Sequence, residues 1–197
     1  MLERTTVAFS KPGGRSTPVL TLSDKRPITG EQTTLPVIGQ TSGDGGGWLD
    51  VLLPGRPDGH SGWISARGTT ETTTPWQITV QLSTRDVKVF DDAHLIREFK
   101  AVVGKPSTPT PVGRFFVEET VKLGATYPGA PYALALSARS NVLPEFDGGP
   151  GQVAIHGVSN IGGIPGTAVS HGCVRLSTSA ITWLAARIGP GTPVTIR

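Results

Sequence analysis

The residues best able to do chemistry in this 197-residue chain lie in one short stretch, residues 170–176, which contains its single cysteine, Cys173. A lone cysteine has no intramolecular disulfide partner, so it is either a small buried apolar side chain or a residue kept for its reactivity. Its neighbours favour reactivity, because Gly172 lets the backbone adopt a positive φ and His171 is an ionisable group that an inert core position would not favour. We therefore interpret Cys173 as a nucleophile and the protein as a cysteine acyltransferase.

A cysteine nucleophile needs a base within hydrogen-bond reach, and the chain offers four histidines. We expect His60, in a turn rich in glycine and proline, and His94, in a hairpin beside two aspartates, to be solvated. His156 differs because it ends the apolar run 153–155, which is typical of a buried strand, and because Gly157 follows it. Such a position favours a side chain that points into a cleft, so His156 is the candidate base.

Two motifs carry a resemblance to a known family. The pair His156-Gly157, followed by a loop with glycine and proline and then by Ser-His-Gly-Cys-Val-Arg at residues 170–175, resembles the signature of the YkuD family of L,D-transpeptidases. The segment 104–115 also resembles the approach of that family to its central strands. The resemblance extends over residues 76–197.

This resemblance implies a covalent mechanism. The Cys173 thiolate is expected to attack the amide that joins an L-centre to a D-amino acid and to form a thioester acyl-enzyme. His156 is expected to take the thiol proton and return it to the departing amine, while the Gly157 carbonyl holds the ring in its working tautomer. The backbone N–H groups of Gly172 and Cys173 are expected to be the main oxyanion donors. His171 stays open between an oxyanion donor, a residue that orients the loop, and the base itself, and the resemblance favours the first two.

Four further residues are candidates for contact with the substrate: Ser170, Arg175, Tyr132 and Tyr127. Ser170 is also expected to fix the turn that precedes the cysteine. Arg175 could bind a substrate carboxylate through its guanidinium or brace the loop against a carbonyl. The two tyrosines lie in the stretch 122–151, which is dense in glycine and proline, and long irregular loops are often lids or binding loops. In the family a comparable segment covers the cleft, but the tyrosines could equally pack the loop.

The resemblance further implies that the protein forms 3→3 cross-links in bacterial peptidoglycan and so acts in cell-wall organisation and cell shape. The donor would be a tetrapeptide stem, cut between its diamino acid and the terminal D-alanine, and the acceptor would be the side-chain amine of another stem. Two alternatives stay open: an L,D-carboxypeptidase that passes the same acyl group to water, and a cell-wall-binding protein with an idle catalytic domain. Peptidoglycan stem peptides are the expected partners, and carbapenem β-lactams are the expected covalent inhibitors.

The second part of the chain, which must position these residues, is predicted to be mostly β with one main helix. Strands are expected at 76–82, at 87–90 and 95–103 as a hairpin, at 115–117, at 132–136 and at 193–196. In the hairpin, Leu95, Phe99, Ala101 and Val103 are expected on one face. A helix is predicted from an N-cap at 177 or 178 through apolar positions up to 188, and the Gly-Pro at 189–190 ends it. Cys173 is then expected in the loop that leads into this helix, where partial positive charge could help hold a thiolate.

The N-terminal third is predicted to be a small β-barrel, since apolar runs at 6–9, 19–22, 35–38, 48–53 and 62–64 alternate with turn signals such as residues 42–47. It resembles a bacterial SH3-like domain that would bind or orient cell wall, with Trp48 and Trp63 as contacts; alternatively both tryptophans belong to the core. Residues 68–74 lack an apolar pattern. We therefore predict an SH3-like domain at 1–67, a linker at 68–75 and a catalytic domain at 76–197.

Composition and charge bear on the fold class and on the classes of partner. The 26 glycines and 17 prolines favour a turn-rich, mostly β protein, and the net charge of +3 comes from scattered basic residues, so nucleic-acid binding is not indicated. We set aside a catalytic zinc and expect no cofactor, because no carboxylate lies near the cysteine and histidine pair to complete a ligand set. The sequence shows neither an apolar run of about 20 residues nor a signal-peptide core. Because the family acts outside the cytoplasmic membrane, we expect a location in the periplasm or cell wall and a leader or membrane anchor outside these 197 residues.

Overall fold

The structure is a computed structural model that describes residues 1–13, 15–43, 46–145 and 148–197. Within those ranges the chain forms two larger β-sheets, one two-stranded ladder and a single α-helix. The predicted class, mainly β with one main helix, is thus confirmed. Of the residues described, none belongs to a helix that is both long and apolar enough to span a membrane.

The N-terminal sheet has five antiparallel strands: β1 Thr6–Phe9, β2 Pro18–Leu22, β3 Val37–Gly43, β4 Gly46–Leu52 and β5 Ser61–Ser65. Their order across the sheet is β2-β1-β5-β4-β3. Each of the five predicted runs contributes a strand, but β3 begins later than predicted and pairs with β4 as far as Gly43 opposite Gly46. The predicted turn at 42–47 is therefore shorter, and residues 44 and 45 lie outside the described ranges.

The second sheet has eight strands: β6 Trp76–Gln81, β7 Asp86–Asp91, β8 His94–Lys100, β10 Gly113–Lys122, β11 Tyr132–Arg139, β12 Gln152–Gly157, β14 Val174–Leu176 and β15 Pro193–Ile196. A separate parallel pair consists of β9 Val103–Gly104 and β13 Ala168–Ser170. The order of the large sheet is β14-β12-β11-β10-β15-β6-β7-β8. Strand β15 lies between β10 and β6, so the last strand of the chain closes the middle of the sheet.

The predicted strand at 95–103 is split between β8 and β9. Leu95 is 51% exposed, whereas Ala101 and Val103 are buried, so the expected single apolar face does not include Leu95. The register shifts between Val89 and Phe90 of the partner strand β7. A bulge of this kind interrupts the alternation on which the sequence prediction depended.

The single helix, α1 Thr178–Ala185, begins where predicted. Ser177 is its N-cap, with Oγ accepting a hydrogen bond from the Ala180 N–H at 3.3 Å. The buried face of α1 packs against β11 and β12. The helix ends before Ile188, which the prediction had included, although Ile188 is buried and its N–H donates to the Leu184 carbonyl at 2.8 Å.

The N-terminal sheet has its own apolar cluster, which consists of Leu2, Ala8, Leu22, Leu35, Leu49, Val51, Leu52, Leu53, Ile64 and Phe116. Phe116 belongs to β10, so the two sheets share a core residue. Trp48 is buried and packs edge-on against Phe9, with ring centroids 6.1 Å apart, so of the two roles left open by the sequence it has the core role. Trp63 is half-buried. The SH3-like assignment and the domain limits stay predictions.

A buried ionic cluster joins the two sheets. Glu118 of β10 is 1% exposed, and it forms ion pairs with Arg26 of the N-terminal part and with Arg139 of β11, the latter at 3.0 Å. The neighbouring Glu119 accepts hydrogen bonds at 3.0 Å from both the N–H and the hydroxyl of Thr29. Buried carboxylates are costly unless they are paired, so these contacts tie the N-terminal part closely to β10 and β11.

Candidate active site

The parallel pairing of β12 with β14 brings the two predicted motifs together. His156 pairs with Arg175 in this ladder, and Cys173 lies two residues earlier, beside Ala154. The Cys173 thiol has a hydrogen bond with the backbone of Ala154, which lies two residues before His156 on β12.

The His156 ring is buried and has a defined tautomer. Its Nδ1 lies 2.8 Å from the Gly157 carbonyl oxygen, and since that oxygen can only accept, Nδ1 carries the proton and Nε2 is left as an acceptor. This is the contact that the family resemblance implied. Burial lowers the pKa of His156 to about 4, with the nearby Arg175 charge adding to the effect and the Gly157 hydrogen bond opposing it. The imidazole is therefore neutral at neutral pH and able to accept a proton.

Two glycines allow the segment 124–131 to cover this ring. The Gly157 N–H donates to the Gly129 carbonyl at 2.8 Å, and the Gly129 N–H donates to the Ser159 carbonyl at 2.8 Å. A Cβ on Gly129 would stand 2.5 Å from His156 Nδ1, and a Cβ on Gly157 would stand 2.1 Å from the Ala130 oxygen. A glycine must therefore follow His156, because any side chain at 157 would collide with the Ala130 carbonyl. Gly129 was missed in the sequence, where only its position in a Pro-Gly turn could have singled it out.

Cys173 is a half-buried free cysteine. Burial raises the pKa of Cys173, and a backbone hydrogen bond with Ala154 and the charge of Arg175 partly oppose that rise. Strand β14 separates the cysteine from α1, so the expectation that Cys173 lies in the loop entering the helix is wrong. Burial thus favours the uncharged forms of both the thiol and the imidazole.

Ser170 shapes the loop that carries the cysteine. It is fully buried, and its hydroxyl donates to the Cys173 carbonyl at 2.5 Å. The Ser170 hydroxyl oxygen also accepts a hydrogen bond from the Gly172 N–H at 3.1 Å. The expected fixing of the turn is confirmed, whereas the expected substrate contact is wrong because Ser170 has no accessible surface. Gly172 has a φ of +123°, its N–H donates to Ser170 Oγ, and its role as an oxyanion donor stays a prediction. The Cys173 N–H likewise stays a predicted oxyanion donor.

Arg175 braces a neighbouring loop. It is 6% exposed, and its Nη1 donates to the Gly162 carbonyl at 3.1 Å and to the Ile161 carbonyl at 3.4 Å. Of the two roles left open by the sequence, this is the brace against carbonyls, and its burial argues against binding of a substrate carboxylate. Its fixed positive charge lowers the pKa of both Cys173 and His156.

The sulfur faces a small cleft whose lining includes His171, Ser140, Leu143 and Gly151. His171 is exposed at this cleft, on the same loop as the thiol. Tyr127 is 53% exposed and Tyr132 is half-buried against the core, so only Tyr127 offers much ring surface to a ligand. Both tyrosines stay predictions as substrate contacts, and residues 146 and 147 of the predicted loop lie outside the described part of the chain. Across that part, no three His, Cys, Asp or Glu side chains are grouped to hold a metal ion.

Comparison with known proteins identifies the family. A family model described as the L,D-transpeptidase catalytic domain, YkuD, matches residues 75–196. The chain belongs to this family. The match confirms the family and the L,D-transpeptidase function that the two motifs predicted.

Two relatives of this L,D-transpeptidase are YkuD proteins whose names assign them provisionally to the same activity. The one from Bacillus licheniformis is 30% identical over 156 residues, which are 74% of this chain and 84% of the relative. The one from Bacillus subtilis is 28% identical over 149 residues, 74% of this chain and 73% of the relative. Among solved structures, L,D-transpeptidase 3 from Mycobacterium tuberculosis shares the fold, with a TM-score of 0.52 and 14% identity over 83% of this chain and 93% of that one. The same mycobacterial protein is also known in complex with a faropenem-derived adduct, at a TM-score of 0.49 and 15% identity over 83% of this chain and 93% of that one.

Proposed function

We propose that this L,D-transpeptidase acts through a thioester acyl-enzyme on Cys173, with His156 as the general base. The observation that supports the proposal is the pairing of β12 with β14, which brings Cys173 beside Ala154, two residues before His156, together with the 2.8 Å contact from His156 Nδ1 to the Gly157 carbonyl oxygen, which leaves Nε2 to accept a proton. A neutral pair cannot react until the base takes the thiol proton, so proton transfer accompanies the attack. The charge of Arg175 stabilises the thiolate as it forms.

The first half of the reaction is acylation. His156 Nε2 takes the proton from the Cys173 thiol while the sulfur attacks the carbonyl carbon of the amide between an L-centre and a D-amino acid. The electron pair of the carbonyl moves to its oxygen, which accepts a hydrogen bond from the Cys173 N–H. When the intermediate collapses, the C–N bond breaks and the departing amine receives the proton from His156, which leaves a thioester and a neutral imidazole.

The second half transfers the acyl group. An amine of another stem peptide attacks the thioester and passes a proton to His156, and the sulfur leaves and is reprotonated as the new amide forms. With the side-chain amine of a diamino acid as acceptor, the product is the 3→3 cross-link that the family resemblance implies. Water in place of the amine would make the protein an L,D-carboxypeptidase. The acceptor therefore distinguishes the transpeptidase from the carboxypeptidase.

The test is covalent labelling followed by mass spectrometry. The wild-type protein should gain the mass of one carbapenem, whose strained amide carbonyl is open to the same attack, and Cys173→Ala should gain none. His156→Ala should acylate about 10²–10⁴-fold more slowly, the usual contribution of a general base. The matched control is His94→Ala, since His94 is an exposed histidine in a distant hairpin, and it should behave as wild type. An adduct on Cys173→Ala, or near-normal acylation of His156→Ala, would contradict the proposal.

Incubation with tetrapeptide stems identifies the acceptor. Cross-linked dimers with release of D-alanine support transpeptidation, whereas tripeptide alone supports hydrolysis. We further propose that the protein works outside the cytoplasmic membrane, where peptidoglycan lies, and that the N-terminal sheet is an SH3-like unit that orients it on the wall. Fractionation of cells tests the location, and co-sedimentation of Trp63→Ala and wild type with purified sacculi tests the wall contact.

A further inference from the structure

We infer that Arg56, which lies in the N-terminal part of the chain, is a positioning residue for the cleft at Cys173. It stands in the turn between β4 and β5, outside the residues that the family model matches. The inference rests on the proposed acyl-enzyme chemistry at Cys173 and extends it to a second part of the molecule.

The Arg56 guanidinium bridges the two ends of the connection between β11 and β12. Its Nη2 donates to the Ser140 carbonyl at 2.7 Å, and its Nη1 donates to the Pro150 carbonyl at 3.1 Å. Ser140 directly follows β11, and Pro150 closely precedes β12. A planar guanidinium that donates from two nitrogens fixes the distance between its acceptors as well as holding each of them.

The same turn docks on the end of β11 through two further contacts. The Gly55 N–H donates to the Ser137 carbonyl at 3.2 Å, and the Asp58 carboxylate accepts from the Arg139 N–H at 2.9 Å. Arg56 is thus held against the catalytic sheet on both sides along the chain.

The bridged ends form one wall of the cleft. Ser140, Leu143 and Gly151 line it opposite the loop that carries the sulfur. The Ser140 N–H donates to the Gly151 carbonyl at 2.8 Å, which closes the neck of the connection. Gly151 has a φ of +65°, and a Cβ there would stand 2.0 Å from the Leu143 oxygen and 3.2 Å from Arg56 Nη2. The wall is therefore packed directly onto the guanidinium, and an acyl group on Cys173 must fit against it.

The experiment compares Arg56→Ala, Arg56→Lys and Arg67→Ala in the full chain. Arg67 is the matched control, because it is an exposed arginine that follows β5 in the same N-terminal part of the chain and does not line this cleft. Acylation by imipenem should fall about tenfold or more in Arg56→Ala, since small misplacements around a reacting group cost up to about 10²-fold. Arg56→Lys should fall in between, because one ammonium cannot hold both carbonyls in fixed geometry. Arg67→Ala should acylate as wild type.

Alkylation of Cys173 by iodoacetamide distinguishes positioning from thiol reactivity. This small reagent does not need the wall, so its rate should stay within about twofold of wild type in all variants, which also excludes global unfolding as the cause. Parallel loss of alkylation and acylation, or wild-type acylation in Arg56→Ala, would overturn the inference.

Hydrogen exchange supplies a readout that is independent of the chemistry. The amide exchange rates of residues 137–145 should be higher than wild type in Arg56→Ala and the same as wild type in Arg67→Ala. Equal exchange rates in the two variants would also overturn the inference. A wild-type protein that imipenem does not acylate would refute the proposed function, while the exchange data would still decide whether Arg56 holds the wall.

Discussion

Replacing His156 by glutamine should make the folded protein markedly less sensitive to acid. The wild-type imidazole has its pKa lowered by burial from 6.5 to about 4, so the folded state resists protonation while the unfolded state accepts a proton below pH 6.5. Stability that depends on this group is complete above the unfolded pKa and is lost as the pH falls toward the folded pKa. Glutamine does not titrate, so the variant lacks this loss.

The size of the effect follows from the two pKa values. Each unit of difference corresponds to about 1.4 kcal/mol, so wild type should lose about 2 kcal/mol more than the variant between pH 7 and pH 5, and about 3 kcal/mol more by pH 4. Urea unfolding curves at pH 7, 5 and 4 measure this difference, and the comparison concerns the change with pH because the substitution also alters stability at pH 7. His94→Gln, at an exposed histidine, is the control and should follow wild type.

The outcome bears directly on the mechanism. If wild type and His156→Gln lose the same free energy of unfolding between pH 7 and pH 5, His156 is not held neutral by burial, and the neutral-pair account is refuted. If the difference appears, acylation by a carbapenem should also stay nearly constant from pH 7 down to about pH 5, because the base is already deprotonated there.

Three further substitutions test the supporting structure. Gly129→Ala should reduce the acylation rate about 10²-fold, because the φ of Gly129 is +89° and a Cβ there would press on His156. Gly124→Ala is the control and should acylate as wild type, because nothing lies within 4 Å of a Cβ at that position. Equal acylation rates in the two variants would contradict the packing of Gly129 on His156. Ser170→Ala should cost about 1–3 kcal/mol in urea unfolding, because it leaves two buried backbone groups of the cysteine loop unpaired. Glu118→Gln should lower the free energy of unfolding by about 3–5 kcal/mol, since Arg26 and Arg139 lose their buried counter-charge, and a change below 1 kcal/mol would show that the cluster is dispensable.

The burial of Cys173 and His156 favours their uncharged forms, in contrast to cysteine enzymes that hold a preformed thiolate. Burial raises the pKa of Cys173 and lowers that of His156, so both groups are shifted toward their uncharged forms. Such a thiol is protected from adventitious oxidation, since the thiolate is the reactive species. In the proposed mechanism, the thiol reacts only when a carbonyl is held close enough for proton transfer to accompany the attack.

The amino-acid sequence by itself determined the family and most local elements. Cys173 and His156 with their glycines identify the family, Ser177 caps the helix where predicted, and alternation located the strands, because residue types and short-range patterns carry this information.

Only the tertiary structure decided which distant parts meet. The insertion of β15 between β10 and β6, the burial of Ser170, the use of Arg175 as a brace and the reach of Arg56 across to Ser140 all join residues far apart in the chain. No local pattern encodes such pairings, since they are set by how whole sheets pack and by which buried polar groups must find partners.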